Sequence, residues 1–104
     1  IENRVADPAA NPYLLFASQI ISGLAGIEGD LTPPAPVERP YGEGPEPLPA
    51  SLGEAIAAFA ASDPYADALG AETVAHLLTL KRAEWSRYLA AVSEWEQAEY
   101  FRLF

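Results

Sequence analysis

The sequence predicts a mostly α-helical chain with a proline-rich loop in its middle and one short strand at its start. Apolar residues recur at helical spacing through several segments of the 104 residues. Seven of the ten prolines fall between positions 30 and 50, a density at which neither a helix nor a strand ladder persists. Half of the residues are hydrophobic, which is the composition of a folded protein and not of a disordered one.

Residues 1–5, Ile-Glu-Asn-Arg-Val, have the alternation of a strand. This period of two places Glu2 and Arg4 on one face and the remaining three side chains on the other. Five residues are too few to make a sheet alone, so the predicted strand needs partners from elsewhere. Asp7-Pro8 then turns the chain, because the residue before a proline avoids the helical region.

A helix is predicted over residues 12–28. Asn11 caps its free amides, and Pro12 is tolerated at the first helical position. Its apolar residues go nearly all the way round, so we expect a helix buried on most sides. Ser18, Ser22 and Gly26 form a ridge of small residues that allows another element to approach closely. A membrane span is the rejected alternative, because the segment is shorter than ~20 residues and has no basic flank.

Residues 30–50 are predicted to form an extended, proline-rich connection across a surface. The motif at positions 33–36 has the spacing of a proline-rich ligand for an aromatic groove, but chance matches to so short a motif are common. Arg39 and Tyr41 are the residues of this segment that we expect to make a specific contact.

Four more helices are predicted after the proline-rich segment, over 51–61, 64–69, 71–92 and 94–103. Ser51 with Glu54, and Ser93 with Glu96, have the spacing of capping boxes. The longest of these helices carries an apolar stripe at residues Val74, Leu77, Leu78, Trp85, Tyr88, Leu89 and Val92. The aromatic end of the chain is expected to dock on a folded body, because so much apolar surface is costly in water.

The charge and residue usage limit the function classes. A net charge of −9 argues against nucleic acid or an anionic membrane as a partner, since both require clustered Lys and Arg. The absence of cysteine excludes disulfides and cysteine-based zinc sites, and it fits a cytoplasmic protein. Methionine is absent even at position 1, and we therefore expect this sequence to be a C-terminal piece of a longer chain.

Few residues are candidates for chemistry. His76 is the single histidine, and with Glu72 four residues earlier it is interpreted as a surface or packing residue. Glu2 and Arg4 differ, because a strand would set them on one face roughly 7 Å apart. A carboxylate beside a guanidinium suits a site where a hard divalent metal meets a phosphate. From the residues alone, however, an ion pair is the stronger interpretation.

The opening of the chain resembles the glutamine synthetases. In that family, Arg-Ile-Glu-x-Arg leads into Asp-Pro-Ala-Ala-Asn-Pro-Tyr-Leu and a helix ending near Gly-Leu-x-Gly-Ile. Residues 1–27 match this pattern almost without a gap, with Asp7-Pro8-Ala9-Ala10-Asn11-Pro12-Tyr13-Leu14 as its most specific part. Residues 51–55, 81–85 and 95–101 resemble, more loosely, a subgroup that includes type III-like enzymes and γ-glutamyl-amine ligases.

The resemblance implies that residues 1–104 are the C-terminal part of an α+β glutamine synthetase catalytic domain. It implies that Glu2 is a ligand of Mg²⁺ or Mn²⁺, and that Arg4 is a catalytic, substrate-binding arginine. The implied reaction joins ammonia to the γ-carboxylate of glutamate through γ-glutamyl phosphate, with ATP as co-substrate, in a homo-oligomeric double ring, by family habit a dodecamer.

Two alternatives remain open at this point. The acceptor of the ligase could be methylamine, ethylamine or a polyamine instead of ammonia. The segment could also be a non-catalytic helical interaction module. In either ligase version, we expect these 104 residues alone to be inactive, because the family's other metal ligands and its ATP-binding strands would lie upstream.

Overall fold

The computed structural model describes residues 2–38 and 47–103, and this part of the chain contains five α-helices. Their bounds are α1 (Pro12–Glu28), α2 (Leu52–Ala60), α3 (Asp63–Leu69), α4 (Ala71–Ala90) and α5 (Glu94–Tyr100). The prediction of a mostly helical fold is confirmed. No helix in the described ranges is both long and apolar enough to cross a membrane.

Residues 2–5 do not form the strand that the sequence predicts, and Ile1 lies outside the described residues. The side-chain Oδ1 of Asn3 instead accepts a hydrogen bond of 2.9 Å from the backbone N–H of Val5. Such a local side-chain bond gives the backbone an alternative to a strand ladder. The described residues contain no second strand with which this short segment could pair, so it forms no ladder.

The side chains of Asp7 and Asn11 stabilise the turn into α1 by accepting hydrogen bonds from backbone N–H groups. The Oδ1 atom of Asp7 accepts from the N–H of Ala9 at 2.7 Å. The Oδ1 atom of Asn11 accepts from the N–H of Tyr13 at 3.0 Å and of Leu14 at 3.3 Å. These bonds satisfy amides that have no partner within the helix, so α1 begins at the predicted residue.

The hydrophobic core lies between α2 and α4. In the described part of the chain, the buried side chains of this core are those of Ile56, Val74 and Leu78. Partly buried apolar residues pack around them, namely Leu52, Phe59, Leu69 and Trp85. The apolar stripe predicted for α4 is therefore buried at its N-terminal end, while Tyr88, Leu89 and Val92 are exposed.

Helix α1 packs on α3. Of the predicted ridge of small residues, Ser22 makes a polar contact with α3, whereas Gly26 faces open space. The hydroxyl of Ser22 lies 3.0 Å from that of Tyr65, within hydrogen-bonding distance. No residue of α1 is buried, and Tyr13 and Ile27 are 83% and 78% exposed. The expectation of a helix buried on most sides is thus not met within the described residues, because only one short helix covers it.

Three helices end earlier than their predicted limits. Helix α2 ends at Ala60, one residue short of the prediction. Helix α4 stops at Ala90, two residues short of the prediction, because Ala91 has an extended backbone. Helix α5 ends at Tyr100, and Phe101 is 76% exposed. The aromatic tail therefore has no extensive docking surface among the residues that the structure describes.

Parts of the proline-rich segment can be described. Residues 31–37 and 47–49 form neither helix nor strand. The continuous proline-rich connection over residues 30–50 stays a prediction, since residues 39–46 lie outside the described residues. Arg39 and Tyr41, the two residues expected to make a specific contact, lie outside the described residues.

Candidate functional site

Glu2 and Arg4 contact each other directly. The Nε–H of Arg4 donates a hydrogen bond of 2.8 Å to Oε1 of Glu2, and the two side chains are 70% (Glu2) and 83% (Arg4) exposed. The ion pair expected from the residues alone is therefore present. A pair this exposed contributes only about 0–1 kcal/mol to stability. A ligand of suitable charge can consequently replace either partner at small cost.

The segment that carries this pair is attached to α1 by an amide–amide hydrogen bond. The side-chain Nδ2–H of Asn3 donates to Oε1 of Gln19 at 2.8 Å. Asn3 lies between Glu2 and Arg4 in sequence, so the bond fixes the middle of the segment to the helix. Sequence reasoning missed this role of Gln19, whose one signal was a polar side chain within an apolar helix.

The chemistry of the pair suits both a cation and an anion. The Glu2 carboxylate provides oxygen ligands of the kind that Mg²⁺ and Mn²⁺ prefer. The Arg4 guanidinium has five N–H donors, of which the ion pair uses one, and it can bind carboxylate or phosphate oxygens in a bidentate manner.

A complete metal site is not present in the described residues, where no group of three or more His, Cys, Asp or Glu side chains is close enough to hold an ion. At the candidate site, the described residues therefore offer the single carboxylate of Glu2 and not a set of ligands. His76 is exposed on α4 and takes part in no such group.

A separate apolar cleft is lined by residues of α1, α2, α3 and α4, with a volume of about 290 Å³. Leu14, Phe59 and Tyr65 are among its lining residues, and Lys81 is its charged one. The Nζ atom of Lys81 lies 2.7 Å from Oε2 of Glu84. The pKa of Glu84 is lowered by this hydrogen bond and by the positive charge of Lys81. The cleft thus brings together no catalytic set, and the candidate site remains the Glu2–Arg4 pair.

Comparison with known protein families decides the ancestry of the chain. The family model described as "Glutamine synthetase, catalytic domain" matches residues 1–100. The chain belongs to the glutamine synthetase family. The family predicted from the sequence is therefore confirmed, and the matched range includes both Glu2 and Arg4.

Individual relatives agree with the family model. A γ-glutamylanilide synthase from an Acinetobacter species is 41% identical over 115 residues, which cover 99% of this chain and 23% of that protein. A glutamine synthetase from Methanocaldococcus jannaschii is 37% identical and is covered to 24%. One from Staphylococcus epidermidis is 35% identical and is covered to 25%. The chain thus spans about a quarter of the length of these glutamine synthetase relatives.

Proposed function

We propose that the chain is part of an ATP-dependent ligase that joins ammonia to the γ-carboxylate of glutamate through γ-glutamyl phosphate, in glutamine biosynthesis. Membership of the family and relatives named glutamine synthetase support the reaction. The observation that carries the proposal for this segment is the accessible Glu2–Arg4 pair, within the range that the catalytic-domain model matches. The absence of cysteine supports a cytoplasmic location.

We assign Glu2 as one carboxylate ligand of Mg²⁺ or Mn²⁺. When bound, such a cation neutralises charge on phosphate oxygens and orients them for transfer. Arg4 is assigned as the substrate-binding and catalytic arginine, which holds a carboxylate or phosphate group by two parallel hydrogen bonds. Because the Glu2–Arg4 pair is weak, its partners can separate and turn to the cation and the anion when these bind.

We expect the 104-residue chain alone to lack ligase and γ-glutamyl transfer activity. Its described residues provide one carboxylate at the site and no cluster that could hold a metal. We propose that the ATP site and the remaining ligands come from other parts of the ligase, and that this ligase is a double-ring homo-oligomer, a dodecamer by family habit. Light scattering on the full-length ligase tests the assembly, and measurable γ-glutamyl transfer by the 104 residues alone would contradict the assignment.

The decisive experiment substitutes the two site residues in the full-length ligase. Glu2→Ala is expected to reduce kcat strongly and to raise the Mg²⁺ or Mn²⁺ concentration needed for half-maximal rate. Arg4→Ala is expected to reduce the activity by about 10²–10³-fold. Arg4→Lys is expected to be little more active than Arg4→Ala, because a lysine cannot make the bidentate contact.

Arg102→Ala and Glu28→Ala are matched controls, since both residues are charged and exposed. Glu28 is the last residue of α1, and Arg102 lies beyond the end of α5. Both control variants should retain activity. If Glu2→Ala and Arg4→Ala also retain it, the ligase assignment of these residues is wrong, and the chain is better described as a non-catalytic helical interaction module.

A second candidate acceptor is supported by one observation. The relative that is 41% identical to this chain is named a γ-glutamylanilide synthase, so an amine other than ammonia is the alternative substrate. The full-length ligase should be supplied with ammonia, methylamine, ethylamine, a polyamine and aniline at equal concentration. Mass analysis of the products then identifies the acceptor, and glutamine as the dominant product supports the first candidate.

A further inference from the structure

Asn3 uses both ends of its side-chain amide. Its Nδ2–H donates to Oε1 of Gln19 on α1 at 2.8 Å, and its Oδ1 accepts from the N–H of Val5 at 2.9 Å. One bond therefore ties the segment to the helix, and the other fixes the backbone conformation of the segment itself. Together they restrain the residue that lies between Glu2 and Arg4.

The two hydrogen bonds of the Asn3 side chain matter because the structure shows few other restraints on the Glu2–Arg4 segment. In the described residues the segment forms no strand. The nearest further restraint along the chain is the turn at Asp7, where Oδ1 accepts from the N–H of Ala9. The Asn3–Gln19 bond spans 16 residues of sequence, and among the hydrogen bonds of the described residues it links the segment that carries the two site residues to helix α1.

We infer that Gln19 is a positioning residue, which acts through Asn3 to hold Glu2 and Arg4 at the orientation in which they bind the metal and the substrate. This inference rests on the proposed ligase function. Gln19 touches neither reacting group, so it contributes by reducing the conformational freedom that the segment would lose on binding. Loss of the bond should therefore weaken binding more than it slows the chemical step.

The amide pair allows a test that hardly changes the size of either side chain. Asn3→Asp keeps a bond, because the Gln19 amide can rotate and donate its N–H to the new carboxylate. Gln19→Glu also keeps a bond, because the Asn3 amide donates to a carboxylate as it does to an amide oxygen. The double variant places two carboxylates opposite each other, where neither can donate and both are negatively charged.

The experiment measures steady-state kinetics of the full-length ligase with each variant. Each single variant is expected to stay within about twofold of wild type in the KM for glutamate. The double variant is expected to raise that KM, and the metal concentration for half-maximal rate, by about three- to tenfold, the range that one hydrogen bond supports. The change in kcat should be smaller than the change in KM.

Ser22→Ala is the structural control, because Ser22 lies on α1 like Gln19 but does not contact the Glu2–Arg4 segment. The substitution removes the hydroxyl that contacts Tyr65 of α3. It should lower the melting temperature and leave the KM unchanged. If the double variant does not fold, Gln19→Leu removes the acceptor without adding charge and should show the same rise in KM.

These experiments distinguish a failure of the positioning role of Gln19 from a failure of the proposed ligase function. If Glu2→Ala or Arg4→Ala impairs the ligase but loss of the Asn3–Gln19 bond leaves both concentration dependences unchanged, the positioning role of Gln19 is overturned and the proposed function stands. If Glu2→Ala and Arg4→Ala are themselves fully active, the proposed function is wrong and the role of Gln19 fails with it.

Discussion

Gly53 and Trp85 are in closer contact than any larger residue at position 53 would allow. A Cβ atom added to Gly53 would lie 2.9 Å from both Cε2 and Nε1 of the Trp85 indole. Real Cβ atoms essentially never approach other atoms so closely. The first turn of α2 therefore packs against α4 at this point because residue 53 has no side chain.

We expect Gly53→Ala to destabilise the chain by about 1–3 kcal/mol, the usual cost of overpacking, because the rigid indole must move to make room. Gly23→Ala is the matched control. Its Cβ would have no neighbour within 4 Å, so the better helix propensity of alanine should leave stability unchanged or raised by about 0.5–1 kcal/mol. Urea denaturation of the two variants measures the difference, and equal stabilities would argue against the contact.

The buried stripe of α4 gives a second prediction. Leu78 is 9% exposed and Leu80 is 53% exposed on the same helix. Leu78→Ala should therefore lower the free energy of unfolding by about 2–5 kcal/mol, and Leu80→Ala by a small part of that. Thermal unfolding followed by circular dichroism compares the two. A larger loss of stability for Leu80→Ala than for Leu78→Ala would mean that a different face of α4 packs on the core.

The start of α1 gives a third prediction. Asn11 caps two backbone amides of the helix, and Asn11→Ala should cost about 1 kcal/mol. Asn11→Ser should retain most of the stabilisation, because its hydroxyl can accept the same bonds. The helix signal in circular dichroism should fall in the first variant and recover in the second. No loss in Asn11→Ala would show that Pro12 alone fixes the helix start.

The capping box of α5 predicts a dependence on pH. The pKa of Glu96 lies below its ordinary value of 4.5, because the backbone and the hydroxyl of Ser93 donate hydrogen bonds to its carboxylate. Folding therefore favours the ionised form. The resulting stabilisation is complete above pH 4.5 and is lost as the pH falls through the lowered pKa.

Fluorescence of Trp95, in the first turn of α5, should accordingly change as the chain is acidified. Glu96→Gln should abolish that transition, since an amide does not titrate, whereas Glu94→Gln should keep it. A transition that persists in Glu96→Gln would assign the change to another group.

Local signals in the sequence predicted the helices well. Asn11-Pro12 identified the start of α1, and the Ser93–Glu96 capping box is confirmed in both of its bonds. The Ser51–Glu54 box is confirmed in one bond only. The hydroxyl of Ser51 accepts from the N–H of Glu54, but Oε2 of Glu54 accepts from the N–H of Ala50 instead. Spacing fixes which side chains are near the free amides, but not which amide each one binds.

The site was predicted less completely because it depends on a contact distant in sequence. The alternation of residues 1–5 placed Glu2 and Arg4 on one face, and their ion pair is present. The attachment of that segment to Gln19 has no periodic signal, because it joins a segment without regular secondary structure to a helix residue 16 positions away. The burial of α1 was overestimated for a related reason, since an apolar helix indicates that it needs partners without indicating where they are.

The small core has a consequence for which part of the chain unfolds locally. Among the described residues, all three buried side chains belong to α2 or α4, whereas α1, which carries Gln19, has none. Such an arrangement allows α1 and the Glu2–Arg4 segment to detach while α2 and α4 remain folded, with a free energy below that of global unfolding. In the 104-residue chain, amide hydrogens of α1 should then exchange with solvent faster than those of α4. The residues assigned to binding would thus lie in the part of the chain that reorganises most easily.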